Sequence, residues 1–165
     1  MEERWTPRRQ GDTGEMSAMC WLVSQGATVF IPVGHSPDVD LIANFGNKMV
    51  RVQVKTSTRW SKNRWDLALC TRGGNQSWNG FVKVLDPTRC DYLFAHAGDG
   101  RRWYIPISAL DGRTRVVLGG PKYSEYEVAS GEPLAARPTP LPAIRATLDS
   151  TPHRRGSRAV KGDAL

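Results

Sequence analysis

Five residues in the first third of the chain have types and spacings suited to chemistry: Glu15, Asp38, Asp40, Gln53 and Lys55. Asp38 and Asp40 flank Val39, and Gln53 and Lys55 flank Val54, so each pair falls on one face if its segment is a strand. Between them Gly46-Asn47 is a two-residue hairpin signal. With that turn Phe45 pairs with Lys48, Asp40 lies opposite Gln53, and Asp38 lies opposite Lys55, Cβ atoms about 4.5–5.5 Å apart. Two carboxylates, an amide and an amine then share one sheet face. Oxygens of this kind are the donors that Mg²⁺ and similar hard cations prefer. Such a cation polarises a phosphoryl oxygen and lowers the pKa of a bound water, and a neighbouring lysine can contact the phosphate or position the water. That is equipment for cutting a phosphodiester. Plainer readings stay open: an Asp40–Lys55 cross-strand ion pair, an Asp38 that starts a strand after Pro37, and a Gln53 on a solvated face.

Such residues need elements to hold them. Gly11–Glu15 reads as a helix start, with Asp12 as cap and Glu15 at capping-box spacing. Met16, Met19, Cys20 and Val23 recur at i, i+3, i+4 and i+7 as an apolar stripe, and Gly26 ends the helix. At 100° per residue Glu15 projects between Leu22 and Met19, on the stripe. An acid there must be capped, paired or bound to something. Strands are expected at Thr28–Val33, Val39–Ala43 and Lys48–Thr56, the last with Val50, Val52 and Val54 on one face. Further on, Trp65–Cys70 reads as a strand, Asp91–Ala97 and Arg102–Ile107 as a hairpin across Gly98-Asp99-Gly100, and Arg115–Leu118 as another strand. Phe81–Leu85 and Tyr123–Val128 are ambiguous. One helix ahead of a strand cluster predicts an α/β (α+β) domain: an N-terminal helix, then a mixed β-sheet with flanking helices.

In order, Gly14-Glu15 on a helix, Pro37-Asp38-Val39-Asp40 on a strand and Gln53-Val54-Lys55 on the next resemble the PD-(D/E)XK nuclease superfamily. The run Arg51–Ser57, with Asp91-Tyr92-Leu93-Phe94 and Trp103–Ile107, is similar to the branch of group I intron homing endonucleases and Holliday-junction-resolvase-like enzymes in which glutamine replaces the second acid. The resemblance covers about residues 11–110. It implies a restriction-endonuclease-like core and a Mg²⁺-dependent endodeoxyribonuclease, Mn²⁺ being the other candidate ion, that hydrolyses DNA with a metal-activated water. By position it implies Asp40 as the central metal ligand, Asp38 as a helper, Glu15 completing the metal shell, Gln53 ligating through its amide oxygen, and Lys55 beside the attacking water and the scissile phosphate. It also implies a homo-oligomer, dimer or tetramer. Gln53 removes one negative charge, so the alternatives are an inactive DNA-binding relative that keeps the fold and a structural or assembly protein with a basic tail.

The chain has 165 residues and a formal net charge of +7, with a pI near 9.7 and a mean hydropathy of −0.45. That is one domain and a tail. No apolar run approaches the ~18 residues of a membrane span, and Met1–Arg4 does not open a signal peptide. Cys20, Cys70 and Cys90 lie far apart, which predicts buried thiols in a reducing cytoplasm rather than disulfides or a zinc site. The charge is unevenly placed. Residues 1–10 read as an arm, 11–130 as the nuclease-like domain, and 131–165 as a Pro-rich basic tail, expected to be disordered apart from a short helix at Ala143–Leu148. Within the domain six cations occur over residues 48–64 without one acid. Lys48, Arg51, Arg59, Lys62 and Arg64 are therefore DNA-binding candidates, with Trp60, Trp65 and Trp78 interleaved; Trp65 is expected in the core. His35 and His96 read as loop and strand residues rather than ligands.

Overall fold

Helix α1 spans Pro7–Ser24, starting before the expected Asp12 cap. Thr6 is the actual cap, its hydroxyl accepting the Arg9 amide at 3.2 Å, and Pro7 takes the first helical position, where its missing N–H costs nothing. Asp12 and Glu15 therefore lie inside the helix, and the capping-box reading of Glu15 falls away. The computed structural model describes residues 6–34, 36, 38–70 and 84–134. Among these α1 is the only α-helix; the expected flanking helices are short 3-10 segments at Ile107–Leu110 and Pro121–Tyr126.

The buried stripe of α1 is Gly14, Ala18 and Leu22, whereas Met16 and Val23 are 62% and 57% exposed and Cys20 is also exposed. The expected stripe was one of large apolar side chains. The helix instead meets the sheet through its smallest residues, because it lies very close: a Cβ on Gly14 would collide with the Thr56 methyl. Gln10 adds a bond from Nε2 to Thr56 Oγ1 at 3.2 Å.

Among the described residues nine strands follow: β1 Thr28–Phe30, β2 Leu41–Asn44, β3 Met49–Ser57, β4 Trp60–Ser61, β5 Arg64–Ala68, β6 Tyr92–Ala97, β7 Arg102–Pro106, β8 Arg115–Leu118 and β9 Glu127–Val128. The main sheet has the order β1-β2-β3-β6-β7-β9, antiparallel except for the β3–β6 pair. A second sheet, β4-β5-β8, is antiparallel. On one face of the main sheet, α1 buries Ala18 and Leu22 on Val50, Val52, Val54 and Phe94. On the other, Leu93, Ala95, Trp103 and Ile105 pack against Trp65, Leu67, Val116 and Leu118 of the second sheet. The β2–β3 turn is the expected one: Gly46 has φ +90° and the Phe45 amide donates to Lys48 O at 2.9 Å. Ser57 joins the two sheets by donating to Asp66 O at 2.6 Å.

The packed unit runs a few residues past the expected boundary at 130. Arg102, only 8% exposed, donates to Ala129 O at 2.6 Å, Ser130 O at 2.9 Å and Ser17 Oγ at 3.3 Å. Gly131 N–H bonds Gly100 O at 2.8 Å, His96 Nε2 meets Glu132 O at 3.0 Å, and Leu134 is buried. His96 is thus a strand residue, as expected. The rest of the tail, with the Ala143–Leu148 segment, lies outside the described residues, as do Trp78, Arg72, His35 and Pro37. Cys90 alone of the three thiols is fully buried, its pKa pushed up to about 11 chiefly by burial; Cys70 is half-buried. No helix among the described residues is long and apolar enough to cross a membrane.

Candidate active site

The β2–β3 ladder ends at Leu41 opposite Val52. The paired register stops there, so the pairing of Asp40 with Gln53 that the hairpin count predicts is not formed: the Asp40 amide bonds Val52 instead. Because β2 has left the ladder there, the Val54 amide finds no strand carbonyl on that side. It donates instead to Asp40 Oδ2 at 2.7 Å, and Gln53 Nε2 donates to the same oxygen in a short contact. The Asp40 amide in turn donates to Val52 O at 2.9 Å. Asp40 is therefore fixed by three bonds to β3, with its carboxylate at the strand's edge rather than on either sheet face.

Two charged groups act on this carboxylate. Burial holds the Asp40 pKa above the ordinary carboxylate value, and the Val54 amide, Lys55 and Gln53 oppose that rise. Glu15 on α1 is also raised, by burial first and then by the charges of Asp40 and Asp12. Asp40 is thus the hub: Gln53 bonds it from β3, and its charge interacts with those of Lys55 on β3 and Glu15 on α1. Gly14 makes this possible, since any side chain there would lift Glu15 away from the sheet. Gln53 is 5% exposed, and its Oε1 has no hydrogen-bond partner. A buried acceptor left unsatisfied costs roughly 1–3 kcal/mol, so this atom wants a partner that the described residues do not supply.

Asp38 behaves differently. It is buried and held by Arg89, Nη2 to Oδ2 2.7 Å. Sequence reasoning missed Arg89, which lies far along the chain and carries no local signal. Among the described residues no group of three or more His, Cys, Asp and Glu is placed to hold a metal. Gln53, the side chain that bonds Asp40, is an amide rather than an acid.

The expected basic stretch does not form one surface. At roughly 3.3 Å per strand residue, Lys48 lies about 23 Å from Lys55, its amine 6.0 Å from the Tyr92 ring centroid. Arg51 is spent on structure: Nε and Nη2 bond Asp91 at 3.1 and 2.8 Å, and Nη1 bonds Thr88 O at 2.7 Å. As a DNA contact it is corrected to a clamp between β3 and the start of β6. Arg59, Lys62 and Arg64 sit on the second sheet, where Arg59 lies 3.5 Å from Asp66 and Lys62 occupies the β4–β5 turn at φ +50°. Trp65 is buried, as expected, and Trp60 is half exposed against it, ring centroids 4.7 Å apart.

A helix on one face of a mixed sheet, with a carboxylate at the end of one strand and an amide and lysine on the next, is a restriction-endonuclease-like α+β arrangement. The family model described as PD-(D/E)XK endonuclease matches residues 5–122, and the chain belongs to that family. A solved bacterial homing endonuclease is similar in fold at 16% identity, covering 74% of this chain and 89% of that one with a TM-score of 0.65. No curated protein matches the chain.

Proposed function

We propose that the protein is a metal-dependent endodeoxyribonuclease that hydrolyses DNA phosphodiester bonds. The observation that carries this reading is the Asp40 hub: a lysine, a second carboxylate and a buried amide oxygen without a partner gathered around one carboxylate on a PD-(D/E)XK frame. The donor set fits a hard divalent cation. Its atoms are all oxygens, two carboxylates press on each other electrostatically, and Gln53 Oε1 is unsatisfied. Asp40 and Glu15 would hold the ion by their carboxylates and Gln53 by Oε1; Mg²⁺, or Mn²⁺, suits such a site. When bound, the ion supplies polarisation of a phosphoryl oxygen and a lowered pKa for water. Lys55 holds its positive charge beside Asp40, where it can orient the attacking water and bind the phosphate that accumulates charge. Val54 N–H and Gln53 keep Asp40 in place. Asp38, committed to Arg89, steadies the chain entering β2 and reaches an ion only if that pair opens.

Cutting both strands of a duplex calls for two such sites, so the reading includes a homo-oligomer on DNA. Three unpaired thiols suit a reducing cytoplasm. The test is incubation with supercoiled, linear and branched DNA in Mg²⁺, Mn²⁺ or EDTA, beside Asp40→Ala and Lys55→Ala. Cleavage is expected only with the ion, with Lys55→Ala slower by about 10²–10³-fold and Asp40→Ala at least as impaired. Cleavage that survives EDTA or both substitutions sinks the mechanism. The fold with salt-sensitive DNA binding and no cleavage supports the inactive relative.

A further inference from the structure

The second sheet carries a cationic cavity away from the Asp40 hub. It has a volume of about 310 Å³ and is lined by Arg64 of β5, Arg113 and Arg115 at the start of β8, and Lys122 and Tyr123 of the 3-10 segment. At about 30 Å³ per water, it has room for a hydrated anion. The chain builds it deliberately. Gly119 and Gly120 close β8, Gly119 at φ +88°, and a Cβ on Gly120 would occupy the place of the Arg64 guanidinium. Glycine is thus what lets Arg64 lie over the turn and complete the wall.

The cavity's charge is only partly neutralised. Arg113 and Lys122 share one carboxylate, Asp111, at 3.9 and 3.6 Å. Arg115 lies 3.1 Å from Asp66, which also faces Arg59. Arg64 has no carboxylate partner among the described residues. Four cations therefore face one space with two acids between them. An oxyanion in that space relieves their mutual repulsion.

Position argues which oxyanion. Lys55 and Gln53 alternate with Val54, which packs under α1, so they lie on the face of β3 that the second sheet covers. The β4–β5 turn on that same side exposes Trp60 and Lys62. A duplex that presents a phosphate to Lys55 at the end of β3 would meet the second sheet on that side.

We propose that the Arg64–Arg113–Arg115–Lys122 cavity seats a backbone phosphate of DNA outside the scissile position, fixing how the duplex lies on the protein. This rests on the nuclease reading for its partner. The experiment measures affinity for a duplex oligonucleotide across NaCl concentrations in EDTA, for wild type, Arg113→Ala/Lys122→Ala and Asp111→Asn. Arg113 and Lys122 are exposed, so the double variant keeps the fold, checked by circular dichroism. Asn tolerates the left-handed conformation of Asp111 (φ +52°). The double variant is expected to bind at least 10-fold more weakly at moderate salt, with the log K against log[NaCl] slope shallower by about 0.9 for the phosphate contact given up. Asp111→Asn, which releases both cations, is expected to bind 2- to 5-fold more tightly. Unchanged affinity and slope in the double variant overturn the proposal while leaving the nuclease reading intact. Stabilisation by inorganic phosphate alone, with the DNA slope unchanged, also overturns it in favour of a free-anion site. DNA binding without cleavage in the Mg²⁺ panel overturns the nuclease reading and leaves the cavity standing. Absence of DNA binding by wild type overturns both.

Discussion

Two carboxylate clusters flank β3, and they are opposites. At the start of the strand, Asp91 accepts the Arg51 backbone amide at 2.7 Å and its guanidinium at 3.1 and 2.8 Å. Its pKa is lowered, by the Arg51 side-chain bond first, and that of Arg51 is raised by the same bond. Every group in the pair prefers its charged form. Further along, Asp40 and Glu15 are raised, and Gln53 Oε1 has nothing to bond. The same strand therefore holds one acid at rest and two under strain. The sign of the shift separates an acid that ties the fold together from acids that, on the proposed function, await a ligand.

The sharpest way to break this contrast is to neutralise each acid in turn. Asp40→Asn is expected to lower cleavage by at least about 10²–10³-fold without loss of thermal stability. Asp91→Asn is expected to lower the melting temperature and leave the chemical step near wild type at saturating DNA. If the two variants swap phenotypes, the contrast is wrong.

Gly14→Ala comes next. The gain in helix propensity, about 1 kcal/mol, is outweighed by overpacking against Thr56, which costs roughly 1–3 kcal/mol. The expected outcome is a lower urea midpoint and, in the folded fraction, slower cleavage as Glu15 moves off. A Gly14→Ala protein with wild-type activity would show that α1 need not lie so close.

Adding ions reads the strained cluster without any DNA. Mg²⁺ at a hundred times its Kd is expected to stabilise wild type by about 2.7 kcal/mol, seen as a raised melting temperature, and Asp40→Asn not at all. Gln53→Glu is expected to destabilise the metal-free protein, since it puts a buried acid against Asp40 and loses the amide donor. It should also bind Mg²⁺ more tightly than wild type.

The smallest effect is in pH. Raised carboxylates bind protons more tightly in the fold than in the unfolded chain. Asp40 and Glu15 therefore penalise the metal-free protein progressively as pH rises from their ordinary values, 3.8 and 4.5, through the raised ones. Asp91, lowered below 3.8, contributes above that pH and loses its contribution as pH falls. Denaturant titrations of Asp40→Asn against wild type should show the gap in the variant's favour widening with pH over that window; a gap that narrows would contradict the assignment.

Much of this was legible in the chain because it is local. The Gly46-Asn47 turn and the alternation of β3 fix the register as far as Leu41 opposite Val52, which brings Asp40 within reach of Gln53. The phase of α1 was not legible by the same means. Periodicity weights large apolar side chains, whereas here close approach selects Gly14 and Ala18 and leaves Met16 and Val23 in solvent. The partners of Asp38 and Arg51 were hidden for another reason. Arg89 and Asp91 come from the far side of the crossover into β6, and only the parallel β3–β6 pairing brings them in. A run of cations reads as one patch in sequence, but a strand carries its ends some 20 Å apart. The cationic cavity draws on three separated segments, so no window of sequence contains it.

The buried Arg102 guanidinium has a consequence for handling the protein. Its carbonyl acceptors are Ala129 and Ser130, beyond the last strand. A chain cut after Leu134 keeps them. A chain cut after Val128 strands a charge in the interior with its acceptors gone, a loss worth several kcal/mol. The packed unit thus extends past the sheet to the acceptors of this arginine, with Gly131, Glu132 and Leu134 beside them.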